Sequence, residues 1–365
     1  MTMVIDGSLG ITFPDTSRQY NSYYNFKNRI INGAMVIDQR NNGASGTANG
    51  YTVDRWGYFG TQSSKLTWGR NLNSITPPTG FSNYLGVQSS SAYSVLSTDT
   101  FQLYQAIEGL NIADFSWGTA GAVPITVSFW VRSSLTGTFG ASVKNGAANR
   151  TYPFTFVINA ANTWEYKTIT IAGDTSGTWA TDNSAGLFLQ IGLGSGATFS
   201  GTAGSWQAGN FVSATGATSV VGTNGATLYI TGVQLEEGIV STPFDFRPYG
   251  TELALCQRYC NVLRPNASAS GLFSGVWFTA TSVLVTYTYP VVMRASPTAT
   301  VSAASDFICV GGSNADAASS FAAASGISTT NARFDFVSSV SRTQGQGAII
   351  QSNTSAAVLT LSAEL

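Results

Sequence analysis

Cys256 and Cys260 stand four residues apart in "TELALCQRYC" (251–260), and Cys309 is the only other thiol in the chain. Paired cysteines offer redox exchange or metal ligation. Redox pairs use C-x-x-C, whereas C-x-x-x-C sets the sulfurs one helical turn apart, where a mutual disulfide closes poorly. Metal ligation needs further soft or imidazole donors, and the chain has no histidine. That removes the usual zinc ligand, the commonest general base and the usual activator of a nucleophile. Ser-His-Asp and Cys-His mechanisms are excluded, and no metal ligand is assigned.

Carboxylates offer hydrolysis, which needs two of them about 5–5.5 Å or 6.5–9.5 Å apart across a glycosidic bond. Glu236 and Glu237 are adjacent, and neighbours on a strand point to opposite faces. Asp174 and Asp182 share one long loop, but acids in such loops usually form turns. The residues therefore read as non-enzymatic. Sugar binding asks for something else: flat aromatic faces for the C–H surface of a pyranose, beside carboxylates, amides and guanidinium groups for its hydroxyls. "TWGRN" supplies Trp68 and Arg70, "DFSWG" supplies Asp114 and Trp117, and "GTWATDN" supplies Trp179, Asp182 and Asn183. These stretches are Gly-flanked and loop-like, so their indoles are expected at the surface, and the seven residues are the glycan-binding candidates. Trp130 and Trp164 fall in strand patterns and are expected to pack. "DRWGYFG" holds Asp54, Arg55, Trp56, Tyr58 and Phe59; its Asp and Arg beside a Trp read best as one hydrogen-bonded anchor.

The elements that must position these residues are short strands. "YTVDRWGYF", "FQLYQAIEG", "PITVSFWVRSS", "PFTFVINA", "WEYKTITIAG", "GLFLQIGLGSG" and "LYITGVQLEEG" combine β-branched and aromatic residues with period-two alternation between Gly, Asn, Asp and Ser clusters. In "ITVSFWVRSS", Ile125, Val127, Phe129 and Val131 share one face, and Thr126, Ser128, Trp130 and Arg132 the other. Such strands without long helical patterns between them predict an all-β protein: an antiparallel jelly-roll β-sandwich over 28–248. Residues 1–27 read as an extended N-terminal attachment arm. A helical linker is expected over 249–264, with Thr251 as N-cap, Glu252 in the first turn and Pro265 as terminator. Strands then resume in a smaller C-terminal β domain, 265–365. Within the linker, Leu253, Cys256, Cys260 and Leu263 recur at the a/d spacing of a short coiled coil. They are the candidate seam of a homotrimer, with both cysteines as buried packing.

Composition narrows the partners. Only 10% of the 365 residues are charged, the net charge is −1, and 39 residues are glycine, so the surface must be built largely from small hydroxyl and amide side chains. No basic run exists to displace counterions from a nucleic acid. No run of about 18 apolar residues is present to span a membrane, and Asp6 interrupts the start where a secretory signal would be apolar. A soluble, cytoplasmically made protein is expected, with no nucleic acid and no membrane insertion. The Gly-rich runs at 192–205 and 216–226 lack the Gly-Lys-Ser/Thr of a P-loop. No cofactor is assigned; a structural calcium ion would suit a jelly-roll sugar module, yet no D-x-D-x-D loop supplies ligands.

Several phrases carry a resemblance. "NRIINGAMVIDQRNNG" (28–43), "YTVDRWGY" (51–58), "SFWVRSS" (128–134), "DTSGTW" (174–179), "TGVQLEEG" (231–238) and "TPFDFRPYGTELALCQRYC" (242–260), in that order, resemble bacteriophage tail-fibre and related virion receptor-binding proteins. "GSLGITFPDTSRQ" (7–19) is similar to a segment that often precedes such fibre modules. The resemblance implies a homotrimeric virion protein, made in the host cytoplasm and displayed on the phage particle, with a module similar to carbohydrate-binding domains. It further implies attachment to other phage tail or virion proteins through the arm, and non-enzymatic, multivalent binding of a host surface polysaccharide. That family commonly has an aromatic where Cys260 stands, so no role for this sulfur carries over. The rival readings are a structural virion component such as a head fibre or tail adaptor, a glycan hydrolase, and a carbohydrate-binding module of a secreted bacterial enzyme.

Overall fold

The computed structural model describes residues 26–265, 267–312, 314–323 and 326–365, preceded by the backbone of three short strands. Those strands, β1 (Val4–Asp6), β2 (Gly10–Thr12) and β3 (Arg18–Gln19), form a small antiparallel sheet. The attachment role expected of 1–27 otherwise falls outside the described residues.

The next fourteen strands build the body. They are β4 (Gly50–Val53), β5 (Trp56–Gly60), β6 (Leu66–Arg70), β7 (Leu85–Ser89), β8 (Thr100–Glu108), β9 (Ile125–Ser133) and β10 (Gly137–Asn145), followed by β11 (Arg150–Ile158), β12 (Glu165–Ile171), β13 (Ala185–Ser195), β14 (Ser200–Gly201), β15 (Gln207–Ala208), β16 (Ser213–Ala214) and β17 (Thr227–Glu237). A seven-stranded sheet runs β15-β11-β10-β13-β8-β5-β4 and a five-stranded sheet β12-β9-β17-β7-β6. Together they form a jelly-roll sandwich. Alternation fills its interior: Phe101, Leu103, Leu189 and Ile191 of one sheet meet Val127, Phe129, Leu228 and Ile230 of the other in one buried cluster. Strand β9 splits as its pattern predicts, with Ile125, Val127, Phe129 and Val131 buried and Trp130 and Arg132 partly exposed on the opposite face.

"YTVDRWGYF" is two strands rather than one. The turn between β4 and β5 falls at Asp54–Arg55, where Arg55 takes φ 71. Asp54, Arg55 and Trp56 are all fully buried, as an anchor would be, but Asp54 and Arg55 bond to different partners rather than forming one unit. Asp54 accepts from Gln39 N at 3.2 Å, and the Arg55 guanidinium lies 3.5 Å from the Tyr259 ring centroid and pairs with Glu364.

The expected helical linker is shorter than its pattern. Helix α1 spans Tyr249–Gln257 with Pro248, not Thr251, at the N-cap position, and Cys260–Leu263 form strand β18. β18 pairs with the strand 359–362 near the far end of the chain, so the four seam candidates do not lie along one helix. Cys256 is buried within the chain against Ile31, Ile37 and Tyr259, with Leu253 packed on the same cluster. The a/d spacing thus reports an intrachain core. The cysteines do serve as buried packing: all three are free and buried, and burial pushes each thiol above its usual range, where thiolate chemistry is suppressed.

The remaining strands are β19 (Gly271–Trp277), β20 (Ser282–Thr288), β21 (Thr298–Val301), β22 (Phe307–Gly311), β23 (Asn314–Ala323), β24 (Asn331–Ser338), β25 (Gly347–Ser352) and β26 (Leu359–Ser362). Six of them close a barrel in the order β19-β20-β24-β23-β22-β25, and β18-β26-β21 form a separate sheet. Trp277, Phe307, Phe334, Phe336 and Ile350 fill the barrel and join Leu359 and Leu361 in a second core.

Charged pairs fasten this part to the sandwich. Arg258 donates to both Glu108 oxygens at 2.9 and 2.8 Å, and the Tyr259 hydroxyl donates to Glu108 at 2.8 Å. Glu364 pairs with Arg40 at 2.8 Å and with the buried Arg55.

Candidate functional site

The seven sequence candidates are dispersed, and the exposure expected of their indoles is not found. Trp68 belongs to the sandwich core, its Nε1 donating to Ala48 O at 2.9 Å. Arg70 is turned to Val36 O and Asp38. Trp117 and Trp179 are buried and meet edge to face, with ring centroids 4.6 Å apart, and Trp206 completes the group at 5.2 and 5.4 Å. Beside them Arg150 grips the buried Asp174 at 2.8 and 2.7 Å. Asp114 is half exposed and pairs with Arg29. Asp182 caps its own turn: hydrogen bonds from the Ser184 hydroxyl and amide hold its carboxyl below the usual range. Asn183 exchanges hydrogen bonds of 2.9 Å with Arg294, across the seam between the sandwich and the C-terminal part. Only Trp117 and Trp179 are brought together, as core. An indole in a Gly-rich loop folds inward because its burial gain exceeds that of its small neighbours.

The outward face of the seven-stranded sheet assembles a different set. Strand alternation sends Phe101 and Leu103 of β8, Leu187, Leu189 and Ile191 of β13, and Val143 of β10 into the core. The residues between them must face out. Register then lines them up: Phe59 opposite Gln102, Tyr104 opposite Gln190, Phe188 opposite Lys144. Together with Leu365 these six residues line a cleft of about 250 Å³. A Cβ at Gly57 would fall 2.3 Å from the Tyr104 ring, so glycine there lets the ring lie across the strand. Gly140 and Gly192 do the same for β16, since a Cβ at either would meet Ser213 at 2.1 or 2.8 Å.

The polar groups of the cleft are held in place. Gln190 Nε2 donates to Gln102 Oε1, and Ser142 Oγ lies 3.2 Å from Gln190 Oε1. Among the described residues none accepts from the Gln102 amide nitrogen. Lys144 is 8% exposed; its Nζ donates to Asn210 Oδ1 at 2.8 Å and lies 5.2 Å from the Phe188 ring centroid. Burial pulls its pKa down to about 8 and pushes the Tyr104 hydroxyl up. No Asp or Glu side chain lines the cleft. Three aromatic rings, two amides and one ammonium can stack on a sugar and pair its hydroxyls. They cannot supply the acid pair of a hydrolase.

A larger, more open cleft of about 630 Å³ lies on the outward face of the five-stranded sheet. It is lined by Phe81, Trp130, Tyr166, Phe244 and Phe246. Its polar groups are the hydroxyls of Thr79, Tyr166, Ser241 and Thr242 and the Trp130 indole N–H, and Thr242 already donates to Glu236 at 2.6 Å. It has aromatic area without the amides and charges that pair a sugar's hydroxyls. Among the described residues no group of three or more Cys, Asp or Glu gathers to hold a metal ion, and no helix is long and apolar enough to cross a membrane.

Gln102, Tyr104, Lys144, Phe188 and Gln190 are not among the sequence candidates, and of the cleft's rings only Phe59 lies in a stretch singled out above, "DRWGYFG". The missing signal is the Q-x-Y of "FQLYQ" and the F-x-Q of "LFLQI", polar-aromatic pairs at the alternate positions of otherwise apolar strands.

No protein-family model matches the chain, and no curated protein does. Among solved structures the chain is similar in part to the enzymatically active domain of tailspike protein 4 of bacteriophage CBA120, at 12% identity and a TM-score of 0.33 over 59% of this chain and 22% of that one. It is also similar to a carbohydrate-binding module solved with β-1,4-galactotriose, at 10% identity and a TM-score of 0.30 over 58% of this chain and 99% of that one. A family 11 carbohydrate-binding module of a Clostridium thermocellum cellulosomal cellulase gives 11% identity and a TM-score of 0.28 over 55% and 98%. The chain thus spans about a fifth of the tailspike domain's length. At TM-scores this low the likeness assigns neither ligand nor activity, which rest on the cleft's own residues.

Proposed function

We propose that the chain is a non-enzymatic bacteriophage virion fibre protein that attaches to host cells by binding a surface glycan in the cleft on its seven-stranded sheet. The observation that carries the glycan reading is the cross-strand array of Phe59, Tyr104 and Phe188 with Gln102, Gln190 and Lys144, set by register on one rigid face. Sites on strands keep their geometry better than sites on loops. The virion role is supported by the ordered phrases resembling phage fibre proteins. A homotrimer would multiply weak sites into avid attachment through effective concentration, and sedimentation of the purified chain measures that state directly.

The test is retention of the purified protein on a panel of bacterial surface polysaccharides, with reducing ends assayed in the same incubations. Retention on at least one polysaccharide without new reducing ends is expected. Failure to bind any of them would sink the glycan reading, and released reducing ends would sink the non-enzymatic one.

A further inference from the structure

Lys144 is a cation set in an unusual place. Its side chain is more than nine-tenths buried, yet it lines the open cleft. Its one hydrogen-bond partner is the neutral Asn210 amide oxygen, and no described carboxylate pairs with it. Elsewhere several sheltered cations have counter-ions: Arg55 and Arg40 share Glu364, Arg258 meets Glu108, Arg150 meets Asp174, and Arg247 meets Glu252, while Arg264 and Arg294 have main-chain carbonyl oxygens. A buried ammonium is stable only when charge or strong hydrogen bonds replace lost water. The folded chain leaves that demand unmet at Lys144, and burial alone accounts for its lowered pKa.

Geometry says what would meet it. Nζ lies 5.2 Å from the Phe188 centroid, and Tyr104 and Gln190 stand on the next register row. A saccharide laid on these rings carries its substituents past the ammonium. A neutral hydroxyl there would be one more hydrogen-bond partner. A carboxylate would supply the absent charge, in a setting dry enough for the pair to count. Resting on the glycan reading above, we propose that the cleft selects acidic polysaccharides, with the carboxylate of a hexuronic acid unit placed on Lys144.

The experiment is titration of the full chain with three probes: polygalacturonate, its carboxyl-reduced neutral counterpart, and a sulfated polysaccharide as a second source of anionic charge. Wild type is expected to bind the uronate at least roughly tenfold more tightly than the neutral form, a difference of about 1.4 kcal/mol. The sulfated chain should bind more weakly than the uronate. Lys144→Met should erase the preference while keeping residual binding of the neutral form, and Lys144→Arg should preserve it. The other titratable side chain of the cleft, the Tyr104 hydroxyl, is raised by burial, so affinity for the uronate should drop between about pH 6 and about pH 10 as the ammonium loses its proton, while the neutral form is unaffected. Equal binding of acidic and neutral forms by wild type, or a preference retained in Lys144→Met, overturns this inference and leaves the glycan reading standing. Binding of no probe by wild type counts against both. A sulfated chain that binds better than the uronate overturns the carboxylate assignment.

Discussion

Trp117, Trp179 and Trp206 hold one another edge to face, and each indole N–H has an oxygen to donate to: Val123 O at 2.7 Å, Asp174 Oδ2 at 3.3 Å and Ala172 O at 2.8 Å. Such a cluster is a stability element. Trp117→Ala should cost ~3–5 kcal/mol in chemical denaturation, and a loss below about 1 kcal/mol would show that the ring is not core. Asp54 acts through its protonation state instead. Burial lifts its pKa to about 6 despite the hydrogen bonds from Gln39. A carboxyl raised above its unfolded value stabilises fully below about pH 4, and that contribution disappears as pH climbs through about 6. Asp99 runs the other way: the Tyr93 hydroxyl, with further donors, lowers it to about 2, so its contribution is lost as pH falls from about 4 towards 2. From about pH 4 to about pH 6, wild type should therefore lose stability relative to Asp54→Asn, whose amide does not titrate. Calorimetry at three pH values in that window reads it, and a constant difference would contradict the assignment.

Strands carry most of what alternation could say. Strand β9 folds with the faces its pattern predicts, because each inward residue is large and each outward one polar or amphipathic. Strand β10, "GTFGASVKN", escapes the same reading: its Gly, Ala and Ser give little contrast between faces, so the strand that carries Lys144 is invisible to a hydrophobicity pattern. Its register comes from β11 and β13 on either side, which is tertiary information. The site was hidden for a related reason. Sequence singles out Trp in Gly-rich loops, whereas the cleft is built from alternate positions of four strands that are distant in the chain. Helix α1 shows the limit of a spacing argument. Intervals of three and four match a coiled-coil seam equally well on paper, but "CNVL" after Arg258 pairs with β26 and ends the helix. Cys256→Asp should then destabilise the chain itself by more than about 3 kcal/mol, as an unpaired buried charge. The lowered melting temperature should not depend on protein concentration, as it would if that residue sat in a seam between copies.

At the scale of the molecule, ion pairs and one small apolar cluster join the sandwich to the segments that flank the barrel. Glu364 is the hub, since it neutralises Arg55, whose side chain is 1% exposed. Glu364→Ala leaves that guanidinium buried and unpaired and should cost ~3–5 kcal/mol. Arg55→Met in the same background should recover part of the loss, and a double variant no more stable than Glu364→Ala would refute the pairing. This joint also sets Leu365 beside the cleft, so the C-terminal part helps to frame it. Two outward faces of the sandwich carry aromatic clefts, and the proposed glycan site is the one on the seven-stranded sheet. The direct test is a side-by-side titration of a bound polysaccharide with Tyr104→Ala/Phe188→Ala and with Trp130→Ala/Tyr166→Ala. The first pair should lose at least roughly tenfold in affinity, about 1.4 kcal/mol, with the second unchanged; loss in the second pair with the first intact would contradict the assignment.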